Sequence, residues 1–330
     1  MAILEKLLQT VGIPYSALIS LVFGLMIVSF PIGAYVVFNS EIGDNIDFGF
    51  PLEKFDLFIA GINMEIPFEY QLGDAFVILW SIFAILFAIS ILGPKKNFLT
   101  IISELLIKEE KIKDTNYLVI IIKWFSILVV ISGTINFIQE SFGIFIEPPE
   151  LSNDLIFFLS LTFAPITEEI GFRVMLIGIP LFVMYAYKSS LKSFFYSLWH
   201  PHKNLDIVDN KKAILLITLV GVFFGVAHII SGEPWSVGKF TQAAVSGVII
   251  GWVYYRYGLI TAILIHWATN YFIFSYANLI SQTNFIPIEE AFSHSLMSSL
   301  ELLLLVSGVF SISILLINRF YSKKNSDLKI

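Results

Sequence analysis

The sequence predicts an all-α protein, a polytopic transmembrane helical bundle with about eight spans and both termini cytoplasmic. Hydrophobic residues make up 57% of the 330-residue chain, and charged residues make up only 14%, against about 25% in an ordinary soluble domain. The mean hydropathy is +0.82. A soluble protein needs more polar surface than this composition provides, so lipid is the expected solvent. We therefore expect an integral, multi-pass protein of the cell membrane.

Eight apolar segments are long enough to be spans, since a transmembrane helix needs about 20 mostly apolar residues. They are Tyr15–Phe38, Ala75–Gly93, Tyr117–Gln139, Leu155–Tyr187, Ala213–Ile230, Phe240–Tyr255, Gly258–Ile280 and Ser295–Ile317. The first is longer than the core of a signal peptide, which has about 7–15 residues, so we expect a retained span.

The distribution of Lys and Arg supports this count independently. Sixteen of the 20 positive residues fall in the termini and in alternate connections on one side of the predicted bundle. The opposite side holds only Lys54 and Lys239, and Lys123 and Arg173 fall inside spans. Since positive residues concentrate in cytoplasmic loops, this bias places both termini in the cytoplasm.

Two further features bound the function. The loop from Asn39 to Asp74 has eight carboxylates and one lysine, so we expect a solvated external connector, with a short membrane-surface helix as an additional option. The chain has no cysteine, which excludes a disulfide framework, a thiol nucleophile and a Cys-based zinc site. Nothing in the sequence indicates a nucleic-acid partner.

Ionisable residues within the spans concentrate in three clusters. The clusters are Ala164–Arg173 with Glu168, Glu169 and Arg173, then Phe224–His228, then His266–Asn270. Each charge near the bilayer centre costs about 2.5–3.5 kcal/mol on the insertion scale, so such groups are paired or hydrated and are functional candidates by default.

Helical spacing predicts how these residues are arranged. Glu169 and Arg173 are four residues apart and can form an ion pair on one helix face, while Glu168 points about 100° away. Pro165 suits the first turn of a helix, so we expect the fourth span to break there and to place both glutamates in a new first turn.

The remaining two clusters repeat the four-residue spacing, in Phe224–His228 and His266–Asn270. If the three helices pack together, a carboxylate, two imidazoles and a carboxamide meet in one polar cavity. That set can activate water and stabilise an oxyanion, as amide hydrolysis requires. It can also hold a divalent metal such as zinc through Glu168, His228 and His266. The residues leave metal-free and metal-assisted hydrolysis both open.

In order, these clusters resemble the motifs of the CPBP family of intramembrane proteases, which includes the type II CAAX prenyl endopeptidases and the Abi proteins. The matching patterns are E-E-x-x-x-R at Glu168 to Arg173, F-x-x-x-H at Phe224 to His228, and H-x-x-x-N at His266 to Asn270. The resemblance implies three regions. These are N-terminal transmembrane helices with an acidic external loop (1–154), a protease-like core (155–280), and a final helix with a basic cytoplasmic tail (281–330).

The resemblance also implies roles. Glu168 would be the water-activating base working with His228, and His266 and Asn270 would form the oxyanion hole. Glu169, Arg173 and Phe224 would support them, with Glu169 also a candidate for direct catalysis. The expected substrate is a membrane-embedded or lipidated peptide, including prenylated CAAX-type tails.

Two alternatives stay open from the sequence. One is an ion- or proton-coupled transporter in which the glutamates and histidines relay charge, which would require a continuous polar path across the membrane. The other is a catalytically silent immunity or scaffold member of the same family.

Overall fold

The fold is a helical bundle with one small β-hairpin. The computed structural model describes residues 2–39, 46–107, 116–147, 153–186, 190–207, 209–230 and 235–327. The α-helices are α1 (Ala2–Phe38), α2 (Leu72–Leu92), α3 (Phe98–Ile107), α4 (Tyr117–Ser141), α5 (Asp154–Glu168), α6 (Ile179–Tyr185), α7 (Leu191–Trp199), α8 (Pro201–Asn204), α9 (Asn210–Ile230), α10 (Lys239–Tyr257), α11 (Leu259–Trp267), α12 (Ile273–Asn284), α13 (Ile288–Ala291) and α14 (Ser295–Asp327). Two π-helical segments, Glu169–Gly178 and Ala268–Phe272, join α5 to α6 and α11 to α12.

Six helices in the described ranges are long and apolar enough to cross a membrane. They are Thr10–Phe38, Leu72–Leu92, Tyr117–Ser141, Asn210–Ile230, Leu259–Asn284 and Ser295–Arg319. The other two segments predicted to span, the fourth and the sixth, are helical as well. The all-α polytopic fold class is therefore confirmed, while the number of eight spans and the cytoplasmic placement of the termini stay predictions.

The expected break at Pro165 is wrong. α5 runs through Pro165 to Glu168, and the hydrogen-bond pattern changes only afterwards, in the π-helical segment that begins at Glu169. The glutamates therefore lie at the junction of two helix types rather than in a new first turn. A π-helix bonds i→i+5, and such segments are frequent at functional sites.

The acidic loop contains a β-hairpin in its described part, so the option of a short surface helix is wrong. β1 (Pro51–Ile59) pairs antiparallel with β2 (Ile62–Gln71). The turn residues Ala60 and Gly61 have φ of 51° and 87°, as a two-residue type I′ turn requires. The turn packs on the first π-helical segment, where a Cβ on Gly171 would lie 2.4 Å from the Ala60 nitrogen. Residues 40–45 of the loop lie outside the described residues.

The connections rich in Lys and Arg meet at one end of the bundle. Tyr255 donates a 2.6 Å hydrogen bond to Asn210, which ties the end of α10 to the start of α9. The buried Lys123 lies 5.9 Å from the Tyr257 ring centroid, near the start of α4, and Asn116 caps α4 against the backbone that ends α2. We call this the basic end; its described basic residues include Lys95, Lys96, Lys203, Lys211, Lys212 and Arg256.

Candidate active site

His266 connects the two glutamates of the first motif. Its Nδ1 lies 2.8 Å from Glu169 Oε1, and its Nε2 lies 3.8 Å from Glu168 Oε2. A carboxylate can only accept, so Nδ1–H donates to Glu169 and Nε2 faces Glu168. The first and third motifs, carried by the α5–π and α11–π junctions, therefore meet at this imidazole.

Glu169 and Arg173 form the ion pair that their spacing predicts. Arg173 Nε lies 3.0 Å from Glu169 Oε2, and the side chains are 1% and 0% exposed. The N–H groups are not aligned for hydrogen bonds, so the contact is an ion pair. The guanidinium carbon also lies 4.5 Å from the Phe224 ring centroid. A carboxylate on one side and an aromatic face on the other offset the desolvation of this cation.

The aromatic residue of the second motif positions its histidine. The Phe224 and His228 ring centroids are 4.5 Å apart, and the Phe224 and His266 centroids are 6.1 Å apart. His228 Nδ1 lies 2.8 Å from the Phe224 carbonyl oxygen. That oxygen is an acceptor, so Nδ1 carries the proton and Nε2 is the nitrogen available to a bound molecule. The Phe224 ring thus contacts both the Arg173 guanidinium and the His228 imidazole.

A cavity of about 420 Å³ lies beside these residues. His228, His266 and Asn270 line it, so the second and third motifs share one pocket. Glu168 is not a lining residue: its buried Oε2 lies 3.8 Å from His266 Nε2, and among the described residues it has no hydrogen-bond partner. No hydrogen bond joins Glu168 and His228 in the described part of the chain.

The cavity lies away from the basic end. Its walls include the middle and second half of α4, the first three turns of α10 and the first turns of α14. Two of its polar residues, Lys239 and Gln242, were not predicted as site residues. The sequence could have pointed to Lys239 as a site residue, because it is one of only two positive residues on the predicted external side.

Aromatic packing fixes the helix that carries His266. The neighbouring Trp267 is fully buried, with its ring centroid 4.9 Å from that of Phe87 and 5.4 Å from that of Phe30. Tyr271 donates a 3.1 Å hydrogen bond to the Ser29 carbonyl. Helices α1 and α2, which carry no motif, therefore hold the third motif in place.

The donor set does not fit a bound metal ion. Within the described ranges, no three His, Asp or Glu side chains are grouped closely enough to hold one. Among the described residues, Glu168, His228 and His266 are therefore not grouped as a metal site.

Comparison with known families gives a match over part of the chain. Residues 151–272 match the family model described as type II CAAX prenyl endopeptidase Rce1-like. This segment is similar to the Rce1-like family. It covers a little over a third of the chain and contains all three motifs. No curated protein and no solved structure shows significant similarity to the chain.

The match to the Rce1-like family and the six apolar helices in the described ranges indicate an integral multi-pass membrane protein. At the level of the family, the match supports a hydrolase, an intramembrane endopeptidase of the CAAX type. A substrate peptide associated with the lipid bilayer follows at the same level.

Proposed function

We propose that this protein hydrolyses peptide bonds of membrane-associated or lipidated peptides with water activated inside the membrane. One observation carries the proposal: His266 lies between Glu169 at 2.8 Å and Glu168 at 3.8 Å, at the wall of a cavity shared with His228 and Asn270. Polar side chains from three helices, which cost free energy to bury in lipid, thus lie at one place, as hydrolysis in lipid requires.

Glu168 is the proposed general base. Its buried Oε2 accepts no hydrogen bond from a described residue, so a water molecule between Glu168 and the cavity would satisfy it. The carboxylate takes a proton as the water oxygen attacks the carbonyl carbon, and the leaving amine receives a proton as the C–N bond breaks. His228, with Nε2 available, assists this proton transfer from the other side of the cavity.

His266 and Asn270 are the proposed oxyanion donors. They are four residues apart on one helical segment and line the same cavity. In this role His266 carries both ring protons, donates Nδ1–H to Glu169, and presents Nε2–H to the developing oxyanion. Donors held in place before the reaction are worth about 10²–10³ in rate each. Glu169 and Arg173 position His266 and do not line the cavity themselves.

The test is peptide cleavage by the protein purified in detergent, with a panel of quenched peptides with and without an attached lipid. We expect Glu168→Gln and His228→Gln to lower kcat by about 10²–10⁴, the usual contribution of general acid–base groups. The exposed Glu53 supplies the matched control, Glu53→Gln, whose kcat should equal that of the wild type. Cleavage retained in both site variants would overturn the proposal.

Nothing observed on the described residues favours the transporter or the silent scaffold. The polar groups of the motifs gather beside one cavity, and motif residues from all three helices contact one another.

A further inference from the structure

The short helix α7 exposes its large apolar side chains instead of burying them. Leu191, Phe195 and Trp199 lie at four-residue spacing on one face, and Tyr196 continues that face. Their exposed fractions run from 46% at Trp199 to 79% at Leu191. A helix whose outer face meets water carries polar residues there, so this aromatic face is suited to apolar surroundings.

The other face of α7 fixes the helix to the bundle. Phe194 packs edge-on against Phe182 of α6, with ring centroids 5.0 Å apart. The Leu198 carbonyl oxygen accepts a 2.7 Å hydrogen bond from the buried Tyr254 of α10. The aromatic face therefore points outward because the opposite face is packed.

The position of α7 is at the level where spans begin at the basic end. Gly258 directly precedes the apolar helix Leu259–Asn284, and a Cβ on Gly258 would lie 2.8 Å from the Trp199 carbonyl oxygen. With nine residues, α7 is about 14 Å long, far shorter than the roughly 30 Å of hydrocarbon in a bilayer. It therefore lies at the membrane surface and does not cross the membrane.

Positive charge surrounds the aromatic face. Lys192 lies on α7 itself, with its Nζ 5.8 Å from the Tyr196 ring centroid, and none of the ion pairs in the described part of the chain includes it. Across the described residues of 190–212 and the turn after α10, five basic residues stand against two Asp: Lys192, Lys203, Lys211, Lys212 and Arg256. An apolar helix face beside excess positive charge is the combination that binds anionic lipid surfaces.

An open groove on this face offers a place for one lipid molecule. Its volume is about 350 Å³, and Lys192, Phe195, Tyr196 and Trp199 line it. The ammonium group has three donors, which suit the oxygens of a phosphate. The three rings provide apolar walls for the carbon atoms next to that phosphate. Tyr and Trp are enriched at membrane–water interfaces because each ring is apolar with one polar atom.

We propose that α7 is an interfacial helix that inserts its aromatic face into the leaflet at the basic end and binds the phosphate of an anionic phospholipid through Lys192. The bilayer is the occupant because α7 lies at the level of the span ends, where lipid surrounds the bundle, and because the groove joins apolar walls to positive charge. This surface lies away from the cavity, so the inference does not depend on the proposed function.

The depth of the aromatic face in the membrane tests the insertion. The chain has no cysteine, so Phe195→Cys and Lys203→Cys each give one site for a nitroxide spin label. The full-length variants are reconstituted in vesicles of phosphatidylcholine and phosphatidylglycerol. We expect the label in Phe195→Cys to collide more with oxygen than with a water-soluble nickel complex, and the label in Lys203→Cys, on exposed α8, to do the reverse.

Two results of this measurement would overturn the insertion. Equal access of the nickel complex to both labels would mean that the face lies in water. Exclusion of oxygen and nickel alike from the label in Phe195→Cys would mean that protein, such as a second copy of the chain, covers the face.

Lipid preference tests the role of Lys192. Native mass spectrometry of the full-length protein in detergent counts bound phosphatidylglycerol and phosphatidylcholine of the same acyl chains. We expect Lys192→Gln to weaken phosphatidylglycerol binding about fivefold, the effect of one basic residue near an anionic surface, and to leave phosphatidylcholine binding unchanged. Lys54→Gln, in the exposed pair with Glu65, is the matched control and should keep the wild-type preference. Equal binding of the two lipids by the wild type, or an unchanged preference in Lys192→Gln, would overturn the phosphate site.

Discussion

Glu169 and His266, 97 residues apart in the sequence, are joined by a 2.8 Å hydrogen bond. The second oxygen of the same carboxylate pairs with Arg173 at 3.0 Å. One fully buried glutamate therefore fixes both the tautomer of an imidazole and the place of a guanidinium group. We therefore propose that Glu169 is a positioning residue and does not touch the substrate.

Removal of the guanidinium should destabilise the protein strongly. Arg173→Met leaves the Glu169 carboxylate buried without its cation, and breaking such a pair costs about 3–5 kcal/mol. We expect a lower Tm in detergent than for the wild type. The double variant Arg173→Met with Glu169→Gln should recover part of the loss, because no unpaired charge is then buried and the amide oxygen can still accept from His266. Strictly additive losses would contradict this.

The hairpin packs against the π-helical segment at Gly171, where there is no space for a side chain. A Cβ there would approach the Ala60 backbone nitrogen to 2.4 Å, and a backbone atom cannot move aside as a flexible side chain can. Gly171→Ala should displace the hairpin and lower stability by about 1–3 kcal/mol, as overpacking does. Thermal unfolding in detergent measures it. Gly24→Ala is the control, since a Cβ at Gly24 meets nothing within 4 Å. Equal Tm changes in both variants would mean that the hairpin does not press on Gly171.

The sequence alone predicted those features of the site that follow from the free-energy cost of placing a charged side chain in lipid. Glu168, Arg173, His228 and His266 stood out because such residues are rare in apolar spans, and the four-residue spacing predicted the Glu169–Arg173 pair. Hydropathy predicted where helices lie, because each span must satisfy its own backbone.

Features set by packing between distant segments were not predicted. The hairpin at 51–71 is stabilised against a helix some 100 residues later, and no local pattern encodes that contact. The π-helical segments depend on a change of hydrogen-bond register after Glu168, where we expected Pro165 to break the helix. The sequence places Lys239 in an external connection, and its position in the cavity arises only when α10 packs against α9.

Stability should depend on pH through a histidine at the basic end. Arg256 donates to His202 Nε2, and His202 Nδ1 lies 3.1 Å from the Tyr255 hydroxyl, which donates to Asn210. His202 must be neutral in this series of hydrogen bonds, because its Nε2 accepts from Arg256 and so carries no proton. The pKa of His202 is lowered, first by partial burial and then by the Arg256 charge.

A lowered histidine pKa means that the unfolded chain takes up the proton first as the pH falls. The contribution of His202 to stability is therefore complete above the unfolded pKa of about 6.5 and is lost progressively below it. We expect Tm in detergent to fall between pH 7.5 and pH 5.5, and to fall less in His202→Gln. His294→Gln, at a separate turn before α14, is the control and should keep the wild-type slope. If Tm fell with pH as steeply in His202→Gln as in the wild type, His202 would not be the source of the pH dependence.

The position of the cavity predicts the side of the membrane from which substrate arrives. Glu140 accepts a 2.8 Å hydrogen bond from Asn136, a residue of the cavity wall, and Lys212 is exposed at the basic end. Positive residues mark the cytoplasmic side, so the cavity should open towards the opposite side. Since the chain has no cysteine, Glu140→Cys and Lys212→Cys each introduce a single thiol.

An impermeant maleimide applied to intact cells should label Glu140→Cys directly and Lys212→Cys only after permeabilisation. That result would direct the search for substrates to peptides presented on the non-cytoplasmic face, since a peptide in the cytoplasm would have to cross the bilayer to meet His228 and Asn270. The reverse labelling pattern would place the cavity on the cytoplasmic side, and prenylated cytoplasmic tails would then be the first peptides to try.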